Sequence, residues 1–129
     1  MVLSFEQAGD LLDKLAESFP EALFDELNGG VNLLEEAVPD QEFPEARVYV
    51  LGEYCNDLLG RYINLYYGSF AAMAENEDWT EADWEEELRQ TLSHELTHHM
   101  EGRSGLHALE DKDEAEMASW REEYGEYRQ

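Results

Sequence analysis

His94-Glu95-Leu96-Thr97-His98 decides how the rest of the chain is read. On an α-helix, two histidines four residues apart sit one turn above the other, so both imidazoles can face one point without bending the backbone. Neutral imidazole nitrogen is a preferred ligand of Zn²⁺ at ~2.0–2.1 Å. Glu95, between the two, is better placed to take a proton from a water at the metal than to bind the metal itself. The expectation is one Zn²⁺ per chain, held by His94 and His98, with Glu95 as the general base.

The helix that carries these residues has its own start signal. Thr80 with Asp83 forms a capping box, and Trp84, Leu88, Leu92 and Leu96 follow at four-residue steps as an apolar stripe that must face the core. At ~100° per residue, His94 and His98 lie on the flank of that stripe, Glu95 at its border and His99 inside it. His99 is therefore expected to be a buried, hydrogen-bonded histidine and not a ligand. The helix is expected to end near Gly102 to Gly105, with Leu106, Leu109, Met117, Trp120 and Tyr124 forming the inward face of a closing helix.

A catalytic zinc needs a third protein ligand and one open position. Asp113 completes the inward spacing of the closing helix, where a carboxylate is costly unless something pairs with it. A helix returning from Ser104 at ~1.5 Å per residue draws level with the two histidines after about eight residues. Asp113 is the first choice and Glu110, one turn earlier, the second, with Glu101, Asp111 and Glu114 behind them. His107 and Tyr124 are candidate donors to a developing oxyanion.

Upstream, Ser4 and Gln7 form another capping box ahead of Phe5, Ala8, Leu11, Leu12, Leu15 and Phe19, the spacing of one helical face. Ser18 and Glu21 repeat the signal around Pro20 and start a short second helix that Asn28-Gly29-Gly30 ends. Val31 to Leu34, Arg47 to Leu51 and Arg61 to Tyr67 then read as three strands, separated by Pro39, Pro44, Gly52 and Gly60. Glu75 to Asp83 reads as an acidic surface connection. The order of helices, strands and helices predicts an α+β fold: amino-terminal helices, a small twisted and mainly antiparallel sheet, the histidine-bearing helix and a closing helix. Arg61 to Ser69 is expected to be an edge strand, with Leu65, Tyr66, Tyr67 and Gly68 lining a substrate cleft by backbone pairing.

At 129 residues the chain fits one domain, residues 1–129, with little left for a second. Acidic residues outnumber basic ones 32 to 8, a formal charge of −24, which repels phosphates and anionic lipid and argues against nucleic-acid and membrane partners. No apolar run reaches the length of a membrane span and no signal core opens the chain, so a cytoplasmic location is expected. The single cysteine, Cys55, cannot form an internal disulfide and reads as a small packed residue with no activating base beside it. Self-association as a homodimer stays open.

The stretches HELTHHMEGRSGLHALEDKDE (94–114) and LGEYCNDLLGRYINLYYGSF (51–70) resemble the small, one-domain zincin-like metallopeptidases of bacteria. The resemblance implies a reduced zincin domain, with a small twisted sheet whose edge strand lines the cleft and a helix bearing two metal histidines, matched by His94 and His98, and a catalytic glutamate, matched by Glu95. Many members of that family read HExxHxxGxxD, whereas this chain has Glu101 at the glycine position and Ser104 at the aspartate position. The expected function is zinc-dependent hydrolysis of a peptide or protein substrate. The alternatives are a catalytically silent scaffold acting as a metal-binding or protein-interaction module, and an acidic decoy working through the −24 charge.

Overall fold

The computed structural model describes residues 1–42 and 48–106, with the backbone alone for 104–106. Helix α1 (Phe5–Ser18) starts where the capping box requires: the Ser4 N–H donates to Gln7 Oε1 at 2.9 Å and the Gln7 N–H to Ser4 Oγ at 3.1 Å. Ala8, Leu12 and Leu15 form its buried face. The short second helix is one 3₁₀ turn, Glu21–Phe24. Ser18 does not cap it, because its hydroxyl donates back to the Leu15 carbonyl at 2.5 Å.

Strands β1 (Val31–Leu34), β2 (Val38–Pro39), β3 (Tyr49–Val50), β4 (Gly52–Asp57) and β5 (Gly60–Tyr66) follow. β2 and β3 form a small antiparallel ribbon. The main sheet has the order β1-β5-β4, with β1 parallel and β4 antiparallel to β5. Two of these three pairings are antiparallel, as the sequence suggested, but the strand placed at the edge is the central one. β5 is covered on both sides: Leu65 pairs with Leu33 on one flank and Gly52 on the other. The edges of this sheet are β1 and β4, and β4, which the sequence reading passed over, is the edge beside α3. Its hairpin to β5 turns through Leu58 and Leu59, both out in solvent, a pair with none of the glycine or asparagine that normally marks such a turn.

The chain after β5 also departs from expectation. Tyr67, Gly68 and Ser69 open helix α2 (Tyr67–Glu77) and do not extend the strand. Gly68 is required there, since a Cβ would lie 2.6 Å from the Ala37 nitrogen, and its N–H donates to the Glu36 carbonyl at 3.1 Å. The expected acidic connection is the end of α2 and a tight reversal at Asp78, whose φ of 53° places it in the left-handed region. Trp79 then folds inward. Helix α3 (Glu81–Leu106) is capped by the Thr80/Asp83 box, with bonds of 2.9 and 3.2 Å, and runs through Gly102 without turning.

The core lies between α1, α3 and one face of the sheet. Trp84, Leu88, Leu92 and Leu96 of α3 are fully buried, with Ile63 and Leu65 of β5 and Phe70 of α2. Burying each such aliphatic side chain contributes roughly 1.5–3 kcal/mol relative to leaving it in water. Trp84 stacks on Tyr67 and Phe70, meets Trp79 edge-on, and donates its indole N–H to the Met1 carbonyl at 3.1 Å, which ties the amino terminus to α3. Among the described residues, no helix is long and apolar enough to cross a membrane.

Candidate metal centre beside the open sheet edge

The apolar stripe of α3 fixes how the HELTH residues present themselves. With Leu92 and Leu96 packed into the core, Glu95 rotates to the border and is only 6% exposed, His94 is half-buried and His98 stands in solvent. The two imidazoles meet at right angles, ring centroids 4.5 Å apart, with their Nε2 atoms 3.0 Å from each other. One ligand atom from each of His94, Glu95 and His98 falls within 4.8 Å of the others. Burial and the neighbouring His98 hold the His94 imidazole below its usual range, which favours the neutral, ligating form.

The donor set fits a metal ion. Two nitrogens bound to Zn²⁺ at tetrahedral angles would lie about 3.3 Å apart, a few tenths of an ångström more than the separation found. Converging neutral imidazoles with a carboxylate alongside are the chemistry that borderline-soft divalent cations prefer. Among the described residues no second carboxylate joins the cluster as a further ligand. Glu101 lies along the helix, 3.9 Å from His98 Nδ1. Asp113, Glu110, Asp111, Glu114, His107 and Tyr124 lie outside the described residues. The turn expected at Gly102 to Gly105, from which the closing helix was positioned, is not there, because α3 continues to Leu106.

β4 supplies the other wall. Tyr66 donates its N–H to the Leu51 carbonyl at 2.9 Å, and the alternation of an antiparallel ladder then turns the backbone groups of Gly52, Tyr54 and Asn56 away from β5. One of these outward groups is already used: the Tyr54 backbone bonds the Glu95 carboxylate. That bond lowers the Glu95 pKa, but desolvation, the larger effect, and the nearby Glu53 carboxylate together push it up to about 7. Gly52 makes the approach of strand and helix possible, since a Cβ there would sit 2.7 Å from Thr91 Cγ2. The resulting groove has two adjoining hollows, one lined by Tyr49, Leu51 and Thr91, the other by Glu53, Tyr54 and His98; both are bordered by Gly52, His94 and Glu95.

His99 is fully buried, as its place in the stripe predicts. Its Nε2 is 2.7 Å from the Asp25 carbonyl, which can only accept, so Nδ1 is left to accept from the Tyr54 hydroxyl at 2.9 Å. With both ring nitrogens committed, His99 is unavailable as a ligand. Tyr54 thereby grips α3 twice, by its backbone at Glu95 and by its hydroxyl at His99.

The substrate residues expected from sequence are placed elsewhere. Leu65 and Tyr66 are buried in the central strand, and Tyr67 and Gly68 belong to α2, so none offers a free backbone edge. The groove is lined instead by Gly52, Glu53, Tyr54 and Thr91, which the sequence reading did not single out. The signal that could have found the β4 residues is the matched length of the segments on either side of Leu58-Leu59. Cys55, expected to be packed, is half-exposed, and burial pushes its thiol above the usual range, against a nucleophilic role.

The chain matches the family model described as zincin-like metallopeptidase over residues 28–120, well over half its length. Among solved structures it is similar to a conserved hypothetical protein from Thermo thermophilus, with 35% identity over 79% of this chain and 98% of that one and a TM-score of 0.66. No curated protein matches it. The helix-borne His94-Glu95-His98 cluster, the small mixed sheet and the family match agree, and the chain belongs to the zincin-like metallopeptidase family.

Proposed function

We propose that the protein is a zinc-dependent peptidase in which Glu95 is the general base. The observation that carries this reading is the pairing of a buried glutamate, poised near neutrality, with two converging imidazoles at the open edge of a strand. His94 and His98 would hold Zn²⁺ through Nε2, and a carboxylate of the carboxy-terminal segment, Asp113 or Glu110, would complete the protein ligands. When bound, the ion supplies a Lewis acid that polarises the substrate carbonyl and acidifies water.

The remaining roles belong to the chain itself. The Glu95 carboxylate takes the proton of the attacking water and passes it to the departing amide nitrogen, a task suited to a group whose pKa lies near the working pH. The Tyr54 backbone N–H fixes that carboxylate, while burial beside Leu96 keeps competing water away. An extended peptide would lie along β4 and pair with the outward backbone of Gly52 and Asn56, the place expected of Leu65 to Gly68 before the strand order was known.

The test is metal content of the purified protein, followed by cleavage of a peptide library by the zinc-loaded protein and its Glu95→Gln variant. One zinc per chain, cleavage by the native protein, and loss of at least a hundredfold in the variant are expected. Stoichiometric zinc with no cleavage, or a fully stable protein that holds no metal, would instead identify a catalytically silent scaffold.

A further inference from the structure

The pleat of β4 sorts its side chains between two faces. Gly52 and Tyr54 face α3: a Cβ on Gly52 would meet Thr91 Cγ2, and the Tyr54 hydroxyl reaches His99. Glu53, between them, turns to the opposite face of the sheet, where the Tyr66 hydroxyl of β5 donates to its Oε2 at 2.8 Å and holds it at the exposed edge. No cation answers it there. Among the described residues Arg61 and Arg103 pair with Glu26, Arg89 pairs with Glu85 and Glu86, and no ion pair involves Glu53.

The ladder makes Glu53 the neighbour of whatever pairs with β4. Its own backbone groups point to Asn64 of β5, while those of Gly52, Tyr54 and Asn56 point outward. A peptide added antiparallel at this edge meets Glu53 at a position where the two strands exchange no backbone bond and side chains approach most closely. The residue opposite Glu53 then stands on the same face, with Cβ atoms about 4.5–5.5 Å apart. Its two neighbours, opposite Gly52 and Tyr54, face α3, so it lies within two residues of the bond that Glu95 would act on. Opposite charges directly across such a pair attract and like charges repel, and the −24 charge of the chain draws cations to the groove in the same sense. The Glu53 carboxylate also adds to the desolvation that raises Glu95, so a cation held at Glu53 relieves a repulsion the groove already carries.

We propose that Glu53 is a specificity residue, which pairs with an arginine or lysine of a peptide laid along β4, so that the groove prefers substrates with a basic side chain within two residues of the cleaved bond. The proposal rests on the peptidase reading for that bond, whereas the strand edge and its carboxylate do not depend on the metal.

The probes are acetyl-Ala-Val-Arg-Val-Ala-amide and the same peptide with citrulline, the neutral counterpart of arginine, titrated into metal-free and zinc-loaded protein and followed through the backbone amide NMR signals of Gly52, Glu53 and Asn56. The arginine peptide should bind roughly two- to fivefold more tightly at low salt, the worth of one exposed ion pair, and should lose that advantage in about 0.5 M NaCl. Glu53→Gln still accepts from the Tyr66 hydroxyl and should bring the ratio to about one, and Glu53→Lys should favour the citrulline peptide. Glu17→Gln makes the same change of charge at an exposed site on α1 and should leave the ratio as it was. Silence of both probes, equal binding of the two by the native protein, or a ratio that Glu17→Gln lowers as far as Glu53→Gln does overturns the proposal. A peptide library separates it from the peptidase reading. Arginine-selective binding at β4 without any cleavage retains the site and removes the peptidase, and cleavage with no arginine or lysine enriched within two residues of the cut does the reverse.

Discussion

Glu95→Gln should make the metal-free protein more stable, and only at neutral and alkaline pH. Desolvation, helped by Glu53, raises the Glu95 carboxyl from its ordinary 4.5 to about 7 in the folded chain. A carboxyl whose folded pKa lies above its unfolded one favours folding fully below the ordinary carboxylate range. That contribution drains away as pH rises from about 4.5 towards 7 and is gone above it. At about 1.36 kcal/mol per pKa unit, the loss is on the order of 3 kcal/mol.

Glutamine has the same shape, still accepts from the Tyr54 N–H and never ionises, so it escapes the loss. Urea unfolding of both proteins in chelator should give a difference below about 1 kcal/mol at pH 5 that grows to about 2–3 kcal/mol in favour of the variant at pH 8. In a chain of this size that corresponds to a melting temperature higher by roughly 6–12 °C. The other acids titrate alike in both proteins and cancel. Zn²⁺ beside the carboxylate favours its ionised form, so adding the metal should narrow the gap. A difference that does not change with pH, or a variant less stable at pH 8, would refute the claim that Glu95 is held in a desolvating site.

His94→Ala and His98→Ala should each lose most of the bound zinc by elemental analysis, whereas His99→Ala should retain it wherever it folds. That last variant leaves the Tyr54 hydroxyl and the Asp25 carbonyl unpaired around a cavity and should lose about 2–4 kcal/mol in urea unfolding. Tyr54→Phe orphans His99 Nδ1 alone, so a loss of about 1–2 kcal/mol with unchanged zinc content is expected. Gly52→Ala drives a methyl against Thr91 Cγ2 and should cost roughly 1–3 kcal/mol; adding Thr91→Ser removes the opposing methyl and should restore part of it, an interaction readable in a double-mutant cycle.

The helices were legible because their signals are local. The capping boxes at Ser4 and Thr80 are in place, unlike the one read at Ser18, and the stripe from Trp84 to Leu96 is buried throughout, so the separation of His98 from His99 followed from phase alone. β1 was equally plain, a short apolar run after two glycines. The hairpin was not, since Leu58-Leu59 carries no turn chemistry and Gly52, read as a breaker, is there to admit α3. Strand order is a matter of long-range pairing that no window of sequence reveals, and it alone moved β5 to the centre and left β4 as the edge beside the histidines. The start of α2 lacks a side-chain cap, so nothing announced that the strand ends at Tyr66.

The position of Glu95 explains why so small a domain can hold a carboxyl that titrates near neutrality without a dedicated partner for it. Its pKa does not come from one strong neighbour. It comes from standing one residue before a core leucine on a helix whose opposite flank faces water, beneath a strand edge that offers a single N–H. That arrangement needs α3 held at one rotation about its axis, and the residues enforcing the rotation are not at the site: Trp84 anchored on the Met1 carbonyl, Leu88 and Leu92 in the core, and His99 bonded to Asp25 and Tyr54. A turn of the helix by one residue, about 100°, would put the glutamate into solvent and send a histidine inward. The tuning of this carboxyl is thus a property of the whole packed helix, and a core substitution that loosens α3 should lower the Glu95 pKa before it unfolds the protein.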